Sequence, residues 1–76
     1  MMLPTNSLNQ RQRLLAHLVE HHRITTIDAR LKLDILHPAA RVFELKALGY
    51  SIVSYRRTVD TGHGNRHKVA EYVLIF

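Results

Sequence analysis

The chain has 76 residues and a mass of 8.8 kDa, with 11 Lys and Arg against 6 Asp and Glu, a formal charge of +5 and a pI near 10.3. That length allows one small domain and excludes a multi-part catalytic machine, since a domain of about 60 residues buries only about 60% of the surface its unfolded chain exposes; the 46% hydrophobic content excludes a disordered basic tail. Cysteine is absent, which excludes a disulfide framework and a Cys-based zinc site. No apolar run approaches the ~18 residues of a membrane span, and the N-terminus MMLPTNSLNQ lacks the charged start and apolar stretch of a secretory signal. The expectation is a soluble cytoplasmic protein whose basic surplus favours nucleic acid as a partner.

Residues 1–6 read as a disordered lead-in, and residues 7–76 as one domain. Ser7 is placed to cap a helix, with Gln10 three residues on to complete a capping box. Leu8, Leu14, Leu15, Leu18 and Val19 form an apolar stripe, and the first helix is expected over residues 8–21. Ile24 and Thr25 form a strand of one or two residues. Thr25 or Thr26 then caps a second helix over 27–33, Asp28 standing three residues after Thr25, with Ile27 and Leu31, and Ala29 and Leu33, each four apart. Asp34, Ile35 and Leu36 break it. Pro38 suits the first turn of a third helix, where its missing N–H is unneeded, and Gly49 suits the left-handed residue after its end. Val42, Leu45 and Leu48 mark its core face. After Gly49 the apolar period falls from 3.6 to 2. Strands are expected over 50–57 and 68–75, joined through the turn-rich tip Asp60-Thr61-Gly62-His63-Gly64-Asn65.

Three helices, the second and third joined by a short turn, followed by a hairpin, is the layout of a winged helix-turn-helix. The stretch ITTIDARLKLDILHPAARVFELKALGYSI, above all TTIDAR, HPAARVFEL and LGYSIV, resembles a small winged helix-turn-helix family of phages and prophages, and the likeness runs over almost the whole chain. It departs from that pattern at Asp34, where many such sequences have glycine; aspartate tolerates the left-handed geometry better than most residues. The resemblance implies an α+β fold, a three-helix winged helix-turn-helix with a C-terminal two-stranded β-hairpin wing. It further implies a sequence-specific double-stranded DNA-binding protein without enzymatic activity, acting as a transcriptional regulator or an excisionase-like accessory factor in a bacterial cell, and associated with the nucleoid when DNA-bound.

In a helix-turn-helix the second helix enters the major groove with its N-terminal residues nearest the base edges. Here that helix spans residues 37–48, and with Val42, Leu45 and Leu48 inward, His37, Ala40, Arg41, Glu44 and Ala47 are expected to face outward. Arg41 either makes a bidentate contact to guanine or holds a phosphate, while Glu44 orients Arg41 or merely pairs with it on a solvated face. His37 is either a cap or a base contact. Phe43, at the edge of this surface, either touches a thymine methyl or covers the underside of the second helix. The wing supplies the other signal: residues 56–68 hold Arg56, Arg57, Arg66 and Lys68, with His63 and His67, against a single acid, Asp60. A flexible basic loop suits a phosphate backbone or a minor groove; the same charges also protect an exposed strand edge from unwanted pairing. Arg11, Arg13 and Arg23 are further candidates for phosphate contact.

His17 and His21 stand four apart beside Glu20 and His22, but without a third ligand at a known spacing they make a weak zinc motif, and no metal or cofactor is expected. Nucleophile, phosphate loop and paired carboxylates are all missing from the pattern. Tyr50, Tyr55 and Tyr72 are expected to pack rather than to stack on single-stranded RNA. The competing reading is a winged-helix protein-interaction module, a phage inhibitor bound to a host protein partner, since fold does not fix function. So small a domain makes few contacts, and either a homodimer or adjacent copies on a multiple site are expected, with the first helix and residues 73–76 as candidate surfaces for self-association.

Overall fold

Leu14 and Leu18, one helical turn apart, are both wholly buried, and the rest of the molecule is arranged around them. The computed structural model describes residues 7–60 and 62–75, with the backbone alone at Ser7. Its elements are α1 (Ser7–His21), β1 (Arg23–Thr25), α2 (Thr26–Leu33), α3 (Pro38–Ala47), β2 (Ser51–Asp60) and β3 (Arg66–Ile75). The expected three helices and C-terminal hairpin are present in the expected order. The lead-in at residues 1–6, the tip residue Thr61, the terminal Phe76 and the Ser7 side-chain cap all lie outside the described residues.

The inward stripe of α1 is Gln10, Leu14 and Leu18, spaced by four, with Leu15 packed at its margin. Leu8 and Val19 were expected in that stripe; they project from another side of the helix and are 50% and 52% exposed. The helix closes on His22, whose N–H donates to the Leu18 carbonyl at 2.8 Å with φ at 71°. The His22 carbonyl in turn accepts from the N–H of Leu74 at 2.7 Å, which ties the end of α1 to β3.

Thr25 is the cap of α2, its Oγ1 accepting from the Asp28 N–H at 3.1 Å. Ala29 is the wholly buried residue of this helix, small enough to let its neighbours approach. Asp34 closes it in the left-handed conformation, φ 55° and ψ 45°, and its N–H donates to the Ala29 carbonyl. The departure from glycine thus leaves the turn intact. Two arginines strap this turn: Arg13 Nε donates to the Leu33 carbonyl at 2.8 Å, and Arg30 Nε to that of Leu36 at 3.3 Å. Ile35, wholly buried, plugs the turn into the core.

Pro38, Val42 and Leu45 are the buried residues of α3. Leu48, expected among them, is the C-cap, still helical in conformation at φ −82° and ψ −4°, and is 61% exposed. Gly49, at φ 106°, lets Tyr50 N–H reach the Leu45 carbonyl at 3.1 Å while its own N–H reaches that of Lys46 at 3.0 Å. These paired bonds satisfy the last carbonyls of the helix.

The sheet has three antiparallel strands in the order β1-β3-β2. The short strand at Ile24 therefore has a partner: Ile24 stands opposite Tyr72, and Arg23 opposite Val73. Both hairpin strands run further toward the tip than the alternation predicted, to Asp60 and from Arg66. Ile24, Ile52, Tyr72 and Leu74 cover the helices. Tyr50 and Tyr55, expected to pack, are 40% and 51% exposed; only Tyr72 lies on the covered side of the sheet. Among the described residues no helix is long and apolar enough to cross a membrane.

Candidate nucleic-acid interface

Side chains alternate across a strand, so Ile52 and Leu74, paired and buried, define the helix side of the hairpin. Continuing by twos toward the tip, that side carries Ser54, Arg56, Thr58 and Asp60 on β2 and Ala70, Lys68 and Arg66 on β3, paired as Arg56 with Ala70, Thr58 with Lys68 and Asp60 with Arg66. The helical layer ends at Ala70, where Thr26 Oγ1 donates to its carbonyl at 3.3 Å. Beyond it Arg56, Arg66 and Lys68 are exposed. A shallow depression of about 230 Å³ there is lined by Arg56, Lys68, Val69 and Ala70.

Arg57 and His67 fall on the opposite side of the same hairpin, in register with Val69 and Val59. Arg57 is engaged: its Nη1 donates to Glu71 Oε1 at 3.3 Å, across a sheet face where the Glu71 side chain is only 9% exposed. His63 lies in the tip, between Gly62 and Gly64 at φ 84° and 77°, and the tip is turned by Gly62 N–H donating to Asp60 Oδ1 at 2.8 Å. The basic window read from the sequence is thus divided: Arg56, Arg66 and Lys68 are brought together, whereas Arg57 and His67 are directed elsewhere.

Helix α3 departs further from the expectation. Arg41 and Glu44 were expected to face outward, but they sit on the flank turned toward α1. Arg41 Nε lies 3.1 Å from Glu44 Oε1 with the arginine side chain 14% exposed, and Arg11 of α1 approaches the same oxygen at 3.8 Å. Both Arg41 Nε and Glu44 Oε1 are buried and meet as an ion pair, without the alignment of a hydrogen bond. Arg13, engaged with the Leu33 and Asp34 carbonyls at the end of α2, is likewise part of the scaffold. The surface opposite Pro38, Val42 and Leu45 consists of Ala39, Ala40, Phe43, Lys46 and Ala47, all exposed, with Leu36 preceding it at 65% and Phe43 at its centre at 74%. Of the α3 residues expected to meet DNA, Ala40 is on this face. His37 is exposed in the cap position, where its side chain makes no capping bond and its carbonyl accepts from Ala40 N–H at 3.1 Å. Arg41 stands four residues before the buried Leu45 and seven before Leu48, so the helical period sets it beside the inward stripe, and the exposed face of the helix lies on the side of Ala40, Phe43 and Ala47.

The His17 and His21 rings lie 4.5 Å apart between centroids, tilted by 43°. Among the described residues, no group of three or more His, Asp or Glu is placed to hold a metal ion. The model of the winged helix-turn-helix domain family matches residues 9–75 of this chain. Searches of the curated proteins and of the solved structures returned no significant match.

Proposed function

The chain belongs to the winged helix-turn-helix domain family, and from that premise we propose that it is a sequence-specific double-stranded DNA-binding protein, with α3 in the major groove and the wing on the flanking backbone or minor groove. The observation that carries this reading is the cluster of Arg56, Arg66 and Lys68 on the helix side of the hairpin, just past the point where the helices stop covering it. Cations at that place meet phosphates without displacing the fold's own ion pairs. The helix-turn-helix segment 26–49 is nearly neutral, four basic residues against three acids. That division suits affinity from the wing and discrimination from the helix.

The likeness of TTIDAR, HPAARVFEL and LGYSIV to phage and prophage proteins supports a regulator of phage or prophage genes or an excisionase-like accessory factor. Action in pairs is supported by the apolar residues left uncovered on α1, Leu8 and Val19. The test is selection of bound duplexes from a random pool at low salt, followed by sequencing. A consensus is expected, and a palindrome within it reports a dimer, because half-site spacing mirrors protein symmetry. Failure to retain any duplex would overturn the assignment and favour the protein-interaction reading.

A further inference from the structure

The outward face of α3 has an unusual chemistry for a surface that meets DNA. Ala39, Ala40 and Ala47 surround Phe43, which is 74% exposed, and Leu36 continues the patch at the N-terminal end of the helix. The arginine of this helix is unavailable to the face, since Arg41 is paired with Glu44 on the α1 flank. Among the described residues of α3, the hydrogen-bonding side chains that border the patch are His37 at the cap, Lys46 near the C-terminal end, and the ion-paired Glu44 on the α1 flank. Such a face cannot read guanine through a bidentate arginine. In the major groove a single feature of the four bases is apolar, the C5-methyl group of thymine. Alanines keep the helix slim enough for its backbone to lie close to the base edges, and a central phenyl ring then reaches the methyl row.

We propose that this helix reads thymine methyl groups, with Phe43 as the principal specificity-determining residue and Ala39, Ala40 and Ala47 setting the depth of approach. The surroundings agree with a polyanion as the occupant of this apolar patch. Arg56, Arg66 and Lys68 lie exposed on the wing, and Arg30 and Lys32, exposed on the other helix of the motif, add charge although Arg30 also holds the Leu36 carbonyl and Lys32 also pairs with Asp28. The inference rests on the DNA-binding reading above and adds to it the identity of the recognised group. Because the methyl lies on one strand only, this readout also distinguishes A·T from T·A, which the minor groove does not.

The experiment uses the duplex recovered by selection, in its ordinary form and with its thymines replaced by deoxyuridine. That replacement removes the methyls and keeps every hydrogen-bonding group. The wild-type chain is expected to bind the deoxyuridine duplex about fourfold more weakly for each methyl it covers, the burial of one such group. Phe43→Ala removes an exposed side chain and is expected to fold as the wild type, to keep the same salt dependence, and to bind the two duplexes equally. Equal binding of both duplexes by the wild type, or a consensus without thymine, overturns the methyl readout and leaves DNA binding standing. A thymine preference that survives in Phe43→Ala overturns the role of Phe43. Absence of binding to any duplex overturns both readings together.

Discussion

Arg41 lies on the helix assigned to DNA, yet its charge is directed at Glu44, and Arg11 closes the same oxygen from α1. The three side chains form a seam between helices rather than a reading edge. Removing the arginine leaves a partly covered carboxylate with the more distant Arg11 alone, at 3.8 Å. Arg41→Ala is therefore expected to lower stability by about 1 kcal/mol, a fall of about 4–8 °C in melting temperature for a domain of this size. The duplex preference should be unchanged. Thermal unfolding and competition between selected duplexes measure the two effects separately, and a changed consensus in a normally stable variant would return Arg41 to the base-reading face. Phe43 shows the opposite separation. It is 74% exposed and makes little contribution to the core, so its replacement is expected to bear on binding rather than on stability.

Among the elements, the wing best illustrates how a charge window becomes two surfaces. Arg56 and Arg57 are neighbours in sequence and opposites in space, one on the helix side with Lys68, the other holding Glu71 across the outer face. The variant Arg56→Ala/Lys68→Ala is expected to reduce the salt slope of duplex binding by about two, near 0.9 for each phosphate no longer neutralised, with the melting temperature unmoved. Arg57→Ala is expected to leave the slope alone and to lower stability by about 1–3 kcal/mol, because it strips a nearly buried carboxylate of its partner. Salt titrations and melting curves on the two variants give the crossed pattern, and a smaller slope in both would mean that the outer face also meets the backbone. The alternation that separates these residues is present in the sequence. What hid its meaning was the frame: the buried pair Ile52 and Leu74 has to be known before either face can be called inner. Turns show the same limit. Gly49 is legible as a helix stop because only glycine enters φ 106° without strain, and Thr25 is legible as a cap from its spacing to Asp28. His22, where α1 stops, takes φ 71° without being a glycine, and its carbonyl accepts from the N–H of Leu74, a pairing across 52 positions that no local pattern announces.

At the scale of the molecule, the order of elements was legible because periodicity and turn chemistry are local, whereas the pairing of β1 with β3 and the seating of α1 against α3 join distant segments. The same long-range packing places His17 beside α2. Its imidazole is drawn below the ordinary value of 6.5, first by burial and then by the neighbouring His21 and by Lys32, while the backbone at Arg23 and the Asp28 carboxylate oppose the shift. The folded chain thus binds this proton less readily than the unfolded chain does. Between the folded value and 6.5 the unfolded state carries more protons, so stability rises with pH across that interval. The contribution is complete above 6.5 and is lost as pH falls through the folded value. Melting temperatures taken from pH 7.5 down to pH 5 should accordingly fall for the wild type. The variant His17→Gln, which keeps a polar side chain of similar reach and cannot titrate, should show a shallower fall over the same range. An identical pH profile in the two proteins would show that protonation at the junction of α1, β1 and α2 does not govern the acid stability of this domain.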